Sequence, residues 1–373
     1  MSVFDVFSLD GVVDAAVQLS DGSTAYLENN GVRGVELKHV DVNGHVNIID
    51  VVPTDPNIIH STKVDGMQSI ALICDDKDNL YVIGPRGDAT DRIGRFGYEK
   101  IGPNAWGARP NINSASSASS IPERPSSIAA VWCDASANSG AGRILVAYGS
   151  LVNGTTGFLL FPASLTGALS IDSHGNHPSW LVSSSSHLND TGTQISLATD
   201  VFGGNRVCAL SYGTDGMFRQ FRWSTFTVGS TITSVNSSNV FYIPGSATDL
   251  SDVNRVMGAG PNKWVLAYSD TGSSNDCNLE VIDTDSRVDI KGFSPFARYS
   301  AVYDEVSDSV FVYYFSAADN RLLMRVPYKV EGAVGPPEEV ARFPHANKKR
   351  DIVRTVKALR DRRYVEVHWN TTA

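Results

Sequence analysis

Ser69 to Gly84 reads SIALICDDKDNLYVIG, two apolar runs separated by an acidic stretch and closed by glycine. Short runs rich in β-branched and aromatic residues, bounded by Asp, Asn and Gly, are the mark of strands joined by tight turns. The pair therefore reads as a hairpin, SIALICD followed by NLYVIG. The same two-run unit recurs. It appears as VVDAAVQL with STAYLEN, SIAAVWCD with RILVAYGS, QISLATDV with RVCALSYG, VNRVMGAG with KWVLAYSD, RYSAVYDE with SVFVYYFS, and DIVRTVKALR with RYVEVHW.

With Tyr26, Tyr81, Leu145, Cys208, Val265, Phe311 and Val365 as equivalent points, successive units lie 55, 64, 63, 57, 46 and 54 residues apart. In the first six units a third apolar run follows: VELKHVDV, DRIGRFGY, GFLLFPASL, MFRQFRWS, NLEVIDT and RLLMRVPY. VNIIDVV, from Val46 to Val52, is the clearest fourth. Helical periodicity is nearly absent. A degenerate period slightly longer than four strands, repeated seven times, predicts one all-β domain over residues 1–373, a closed β-propeller of seven four-stranded blades, with six as the alternative.

The last unit stops at Trp369 with two strands, while MSVFDVFSL stands unassigned ahead of the first. An open ring leaves unpaired backbone at both ends, which natural β-proteins suppress. Residues 1–9 are thus expected to supply a strand that closes the last blade. Residues 111–125, NINSASSASSIPERP, form the one low-complexity stretch, and because repeats continue on both sides it reads as a loop insertion rather than a linker.

With 42% hydrophobic residues the chain can bury a large core without staples. Its net charge of −9 and pI near 5.4 disfavour nucleic acid and anionic lipid as general partners. The charge is uneven: Arg342 to Arg363 holds nine Lys/Arg against two Asp, a net +7, which leaves −16 on the rest. This basic end, with Lys348, Lys349 and Arg350 at its centre, is either a solvated edge or a docking patch for an acidic neighbour. Cys74, Cys133, Cys208 and Cys277 show no metal or redox spacing and read as buried thiols. The N-terminus lacks a basic secretory leader, and no apolar run approaches a membrane span, so neither signal peptide nor membrane insertion is expected.

In an antiparallel four-stranded unit, the loops joining strands two and three and those joining successive units emerge at one end. The latter look long, at residues 99–125, 170–192 and 239–252, and hold Trp106, Arg109, His174, His177 and Trp180. Aromatic rings beside polar groups suit stacking on a sugar, and the alternative for both tryptophans is packing of loops onto the sheets. His174, His177 and His187 lack the spacing of a metal site, and no cofactor is expected. Two acidic clusters, Asp75 to Asp78 and Ile282 to Asp289, lack the glycine of a calcium loop and read as turn residues.

GxSxG is absent, and a carboxylate pair of the glycosidase kind cannot be picked out by spacing in a fold of this type. The sialidase box S-x-D-x-G-x-T-W is approached only by Ser20 to Tyr26 and Thr214 to Phe218, and neither fits. Tryptophan–aspartate and kelch signatures are missing. No enzymatic activity is therefore expected.

Segments such as MSVFDVFSLDGVV, DNLYVIGPRGDATDRIG and FGGNRVCALSYGTDGMFRQF give the chain its texture. In them it resembles the propellers among minor tail and other virion-attached proteins of bacteriophages, especially of actinobacterial hosts. That resemblance implies a structural or host-attachment role in a virion assembled in the host cytoplasm, with other virion proteins or a cell-envelope glycan as partners. The alternatives are a free sugar-binding lectin and a propeller-type glycoside hydrolase.

Overall fold

The computed structural model describes residues 13–29, 35–52, 70–85, 93–108, 125–134, 142–150, 156–163, 173–176, 194–214, 218–229, 232–244, 255–270, 276–283, 287–293, 299–304, 307–316, 319, 321–329, 333–342, 353–358 and 365–369. All of their regular structure is strand, in seven antiparallel sheets. The first sheet holds β1 (Val13–Gln18), β2 (Thr24–Asn29), β3 (Val35–Val40) and β4 (Val46–Val52). The second holds β5 (Ala71–Cys74), β6 (Leu80–Pro85), β7 (Ile93–Gly102) and β8 (Ala105–Ala108). The third holds β9 (Pro125–Cys133), β10 (Arg143–Ser150), β11 (Thr156–Pro162) and β12 (Ser173–Asn176). The fourth runs through β13 (Gln194–Thr199), β14 (Arg206–Thr214), β15 (Phe218–Val228) and β16 (Ile232–Pro244). The fifth has β17 (Arg255–Gly258), β18 (Lys263–Asp270), β19 (Asp276–Asp283) and β20 (Arg287–Phe293). The sixth has β21 (Tyr299–Asp304), β22 (Ser309–Phe315), β23 (Leu322–Lys329) and β24 (Glu338–Arg342). The seventh has two strands, β25 (Val353–Ala358) and β26 (Val365–Trp369).

Each sheet is a simple meander in chain order. The first strand of each lies beside the first strand of the next, from β1 and β5 through to β21 and β25, and β25 also lies beside β1. Side chains from facing sheets fill the seams. Val17, Leu27 and Leu37 meet Leu72, Val82 and Tyr98 between the first and second sheets, and Ile73 and Tyr81 meet Trp132 and Ile144 between the second and third. Leu145 and Phe158 meet Val207 and Phe226 across the next seam, where the two phenylalanines stack edge to face at 5.3 Å. Cys208 and Leu210 meet Val256 and Trp264 across the fourth.

Burial on both faces explains the sequence pattern. Ile144, Leu145, Val146, Ala147 and Tyr148 are consecutive and all buried, so the second strand of a unit reads as an unbroken apolar run instead of alternating. The outer strands differ: Glu338 to Arg342 has only half-buried and exposed positions, and Val46, Ile48 and Val51 of β4 are exposed.

The turn between the first two strands of a sheet is tight. Leu19 N–H donates to Ser23 O, Asp75 N–H to Asn79 O and Ala259 N–H to Lys263 O. The residue preceding that acceptor has positive φ in each, +87° at Gly22, +61° at Asp78 and +59° at Asn262. Asp and Asn tolerate that left-handed conformation better than other side-chain-bearing residues. These turns share one end of the sheets with the turns between third and fourth strands, such as Asp41–His45. The connections between sheets, for example 53–70, 109–124 and 177–193, join at the other end.

Residues 1–9, the expected closing strand, lie outside the described residues, as do 111–124 of the expected insertion, and Pro125 opens β9. Among the described residues no helix is long and apolar enough to cross a membrane.

Candidate functional site at the seam of the first two sheets

Asp78 is the hub of the tight-turn end of this seam. Its turn carries the acidic run Asp75 to Asp78, in which Asp75 takes the turn role expected of these acids. Asp75 Oδ1 accepts the backbone N–H groups of Lys77 and Asn79, both at 2.9 Å, while Oδ2 accepts from Asn79 Nδ2 and the Tyr81 hydroxyl. Asp78 instead reaches across the seam. Ser20 N–H donates to its Oδ1 at 2.8 Å and the Ser20 hydroxyl to its Oδ2 at 2.5 Å.

Lys100, in β7, places Nζ 3.0 Å from Asp78 Oδ2 and 3.5 Å from Asp21 Oδ2. Burial works to raise the pKa of both carboxyls, but hydrogen bonds from Ser20 and Ser23 and the Lys100 charge outweigh it, so both fall below the ordinary value. The two acids stay ionised across the neutral range. Asp21 keeps a side chain 44% exposed, against 4% for Asp78, so Asp21 is the carboxylate open to a ligand.

Trp106 packs beside this group. Its Nε1–H donates to Asp78 O at 2.9 Å, the Lys100 ammonium lies 5.3 Å from its ring centroid, and the His39 ring is tilted against it at 5.0 Å. It is partly buried against the core of the seam. His39 is buried, with Nδ1 3.2 Å from Asn47 Oδ1. An indole beside an ammonium and a carboxylate can meet a ligand that has both apolar C–H faces and hydroxyl groups.

Among the sequence-derived candidates, Trp106 is the one whose side chain is described. It stands in β8, directly after the turn at residues 103–104, and not in a connection between sheets, so it belongs to the tight-turn end. His174 lies in β12, its backbone opposite Leu159 of β11. Arg109, His177, Trp180, Lys348, Lys349 and Arg350 lie outside the described residues. The sequence reading did not single out Asp21, Lys100 or His39. Their signal was the turn pattern itself, since Ser20 and Asp78 are 58 residues apart, close to the repeat.

A related bracket joins the fourth and fifth sheets. Asn262 N–H donates to Asp200 Oδ2 at 2.9 Å, Gly260 N–H to Asp200 O at 3.2 Å, and Arg206 Nε–H to Asn262 Oδ1 at 2.9 Å. Trp264 Nε1–H donates to Ala198 O at 3.2 Å, so this fully buried tryptophan hydrogen-bonds from the fifth sheet to the fourth, whereas the Trp106 bond stays within the second. No three His, Cys, Asp or Glu side chains among the described residues gather into a metal site.

No protein-family model matches the chain, and no curated protein matches it in sequence. Solved structures do match. The Dos1 propeller aligns at a TM-score of 0.51 and 12% identity, covering 94% of this chain and 73% of that one. The chain shares a propeller fold. AofleA from Arthrobotrys oligospora aligns at 0.51 and 10% identity over 91% and 90% of the two chains. A polysaccharide lyase, an ulvan lyase bound to -[GlcA(1-4)Rha3S]-, aligns at 0.52 and 8% over 92% and 88%. A fucose-specific lectin from Aleuria aurantia aligns at 0.46 and 14% over 90% and 97%. At these identities the likeness concerns the fold.

Proposed function

We propose that the chain is a closed seven-bladed propeller that binds carbohydrate without cleaving it, and that the seam of the first two sheets is a binding place. The placement of β25 beside both β21 and β1 supports seven blades, because it sets the two-stranded sheet between the sixth and the first. The observation that carries the binding reading is the grouping of Trp106, Lys100 and the exposed Asp21 at one end of that seam. Stacking of a pyranose on an indole, with hydroxyls shared between an ammonium and a carboxylate, uses all three. The fold agrees with the carbohydrate-binding part of this reading, since it is also that of a lyase seen with a bound saccharide.

Arg109, His174, His177 and Trp180 are proposed as a second, independent contact region. The particle-borne role implied by sequence texture is not carried by any contact among the described residues or by the similar structures named above. A glycan reader, free or attached, is the better reading.

The test is binding of the purified chain to a panel of immobilised glycans that includes fucosides and sulfated rhamnose–glucuronate oligosaccharides. Binding should fall at least tenfold in Asp21→Ala, measured well below its melting midpoint, with the circular dichroism of the folded chain unchanged. Intact oligosaccharide after prolonged incubation supports binding without turnover, and an unsaturated uronate product would reassign the chain as a lyase.

A further inference from the structure

The first sheet has two unequal faces. Val17, Leu27 and Leu37 point into the seam with the second sheet. Strand pairing puts Ala16, Tyr26, Lys38, Val40, Val46, Ile48 and Val51 on the opposite face, because Ala16 faces Tyr26, Tyr26 faces Lys38, Val40 faces Val46, Lys38 faces Ile48 and Glu36 faces Val51. This second face is covered near the inner strands: Ala16, Tyr26 and Val40 form a buried cluster, and Glu36 is 1% exposed beside Lys38. On the outermost strand the cover stops. Val46 and Ile48 are each 50% exposed and Val51 is 41% exposed.

The seventh sheet stands on that side, since β25 lies beside β1, and it has two strands where its neighbours have four. An apolar stripe on β4 therefore faces the side on which, among the described residues, the seventh sheet has two strands. It continues outward from a cluster that is already buried.

We propose that residues 2–9 of this same chain, which lie outside the described residues, cover the stripe Val46, Ile48 and Val51. Three observations choose this occupant. The segment is apolar, with Val3, Phe4, Val6, Phe7 and Leu9. It joins β1 at Val13, the end at which connections between sheets arrive. Its reach just matches the distance: Leu9 and Val13 are four residues apart, about 14 Å at full extension, and three strand spacings are about 14 Å.

Strand direction adds a condition. A strand feeding β1 through residues 10–12 runs as a fourth strand does, from the tight-turn end, as β4 runs before β5. That is also the direction of β26, a second strand, so under this proposal residues 2–9 do not pair antiparallel with β26. The segment takes the outer position against β4.

The test is a double-mutant cycle on the full chain, with Ile48→Lys on one side and Phe4→Asp with Val6→Asp on the other, read by melting midpoint and by fluorescence of a dye that binds apolar surface. Each side alone should lower the midpoint by several degrees, and the combination should cost little more than either. The N-terminal change should also raise dye fluorescence, and Ile48→Lys should cancel that rise. Additive losses, or Ile48→Lys without effect on the midpoint, would overturn the proposal. So would a change confined to oligomeric state, which would assign the stripe to a second copy.

Discussion

Ser20 gives both its backbone N–H and its hydroxyl to the Asp78 carboxylate, so one side chain bolts the turn of the first sheet to the turn of the second. A charged acceptor satisfied in this way is worth more than a neutral one, about 1.5–3 kcal/mol for a bond to a charged group. Asp78→Ala should therefore destabilise the fold by roughly 2–3 kcal/mol, part of it from placing Ala at positive φ. Asp78→Asn keeps the left-handed conformation and one acceptor, and should lose less. Denaturant unfolding of the three proteins orders them.

The same carboxyls set the acid limit of the fold. Asp21 and Asp78 have folded pKa values below their ordinary ones, and Asp319, hydrogen-bonded by Arg321 and paired with Arg342, is lowered to about 2. A depressed carboxyl contributes stability that is complete above its unfolded pKa and fades as pH falls through the folded one. Stability should hold at neutral pH and drop from roughly pH 4 downward. Asp78→Asn should flatten that drop, and an unchanged acid limb in this variant would count against the assignment.

Gly258 and Gly260 separate crowding from strain. A Cβ on Gly258 would lie 2.2 Å from Thr199 O and 2.5 Å from Asp200 O, both backbone atoms of the fourth sheet. Nothing lies within 4 Å of a Cβ on Gly260, whose φ is +112°. Gly258→Ala must force two sheets apart and should cost more than about 3 kcal/mol, whereas Gly260→Ala should cost about 1 kcal/mol. Equal melting midpoints for the two variants would contradict the packing of this seam.

Cys74, Cys133 and Cys208 are buried thiols that form no disulfide. Burial, with the nearby Asp200 charge, pushes the Cys133 thiol up to about 12. Native protein should react slowly with alkylating reagents near neutral pH. Thiol titration of denatured, unreduced protein should find all four cysteines, and finding two would refute this.

Much of this architecture was legible because inner strands are buried on both faces. RILVAYGS and RVCALSYG carry continuous apolar runs that no exposed element keeps, and they fall within β10 and β14. The outer strands were harder to read. AWGA of β8 and SHGN of β12 are four residues long and paired along one edge, so neither period nor composition marks them, and Trp106 and His174 were read as loop residues. Once Trp106 is in β8, strand parity places it at the tight-turn end. The Asp78 and Asp200 brackets link residues 58 and 62 apart, which sequence alone shows only as polar turns recurring near the repeat length.

The most direct test of the central claim is equilibrium binding of one glycan, selected from the panel, to the wild-type chain, Asp21→Ala, Lys100→Met and Trp106→Phe. Trp106→Phe keeps a ring but loses the bond to Asp78 O, so it should cost about 1 kcal/mol of stability and only part of the binding. The account predicts a saturable interaction that Asp21→Ala and Lys100→Met each weaken tenfold or more while their folds, by circular dichroism, match the wild type. A glycan bound equally well by all four proteins, or no glycan bound by the wild type, would contradict it.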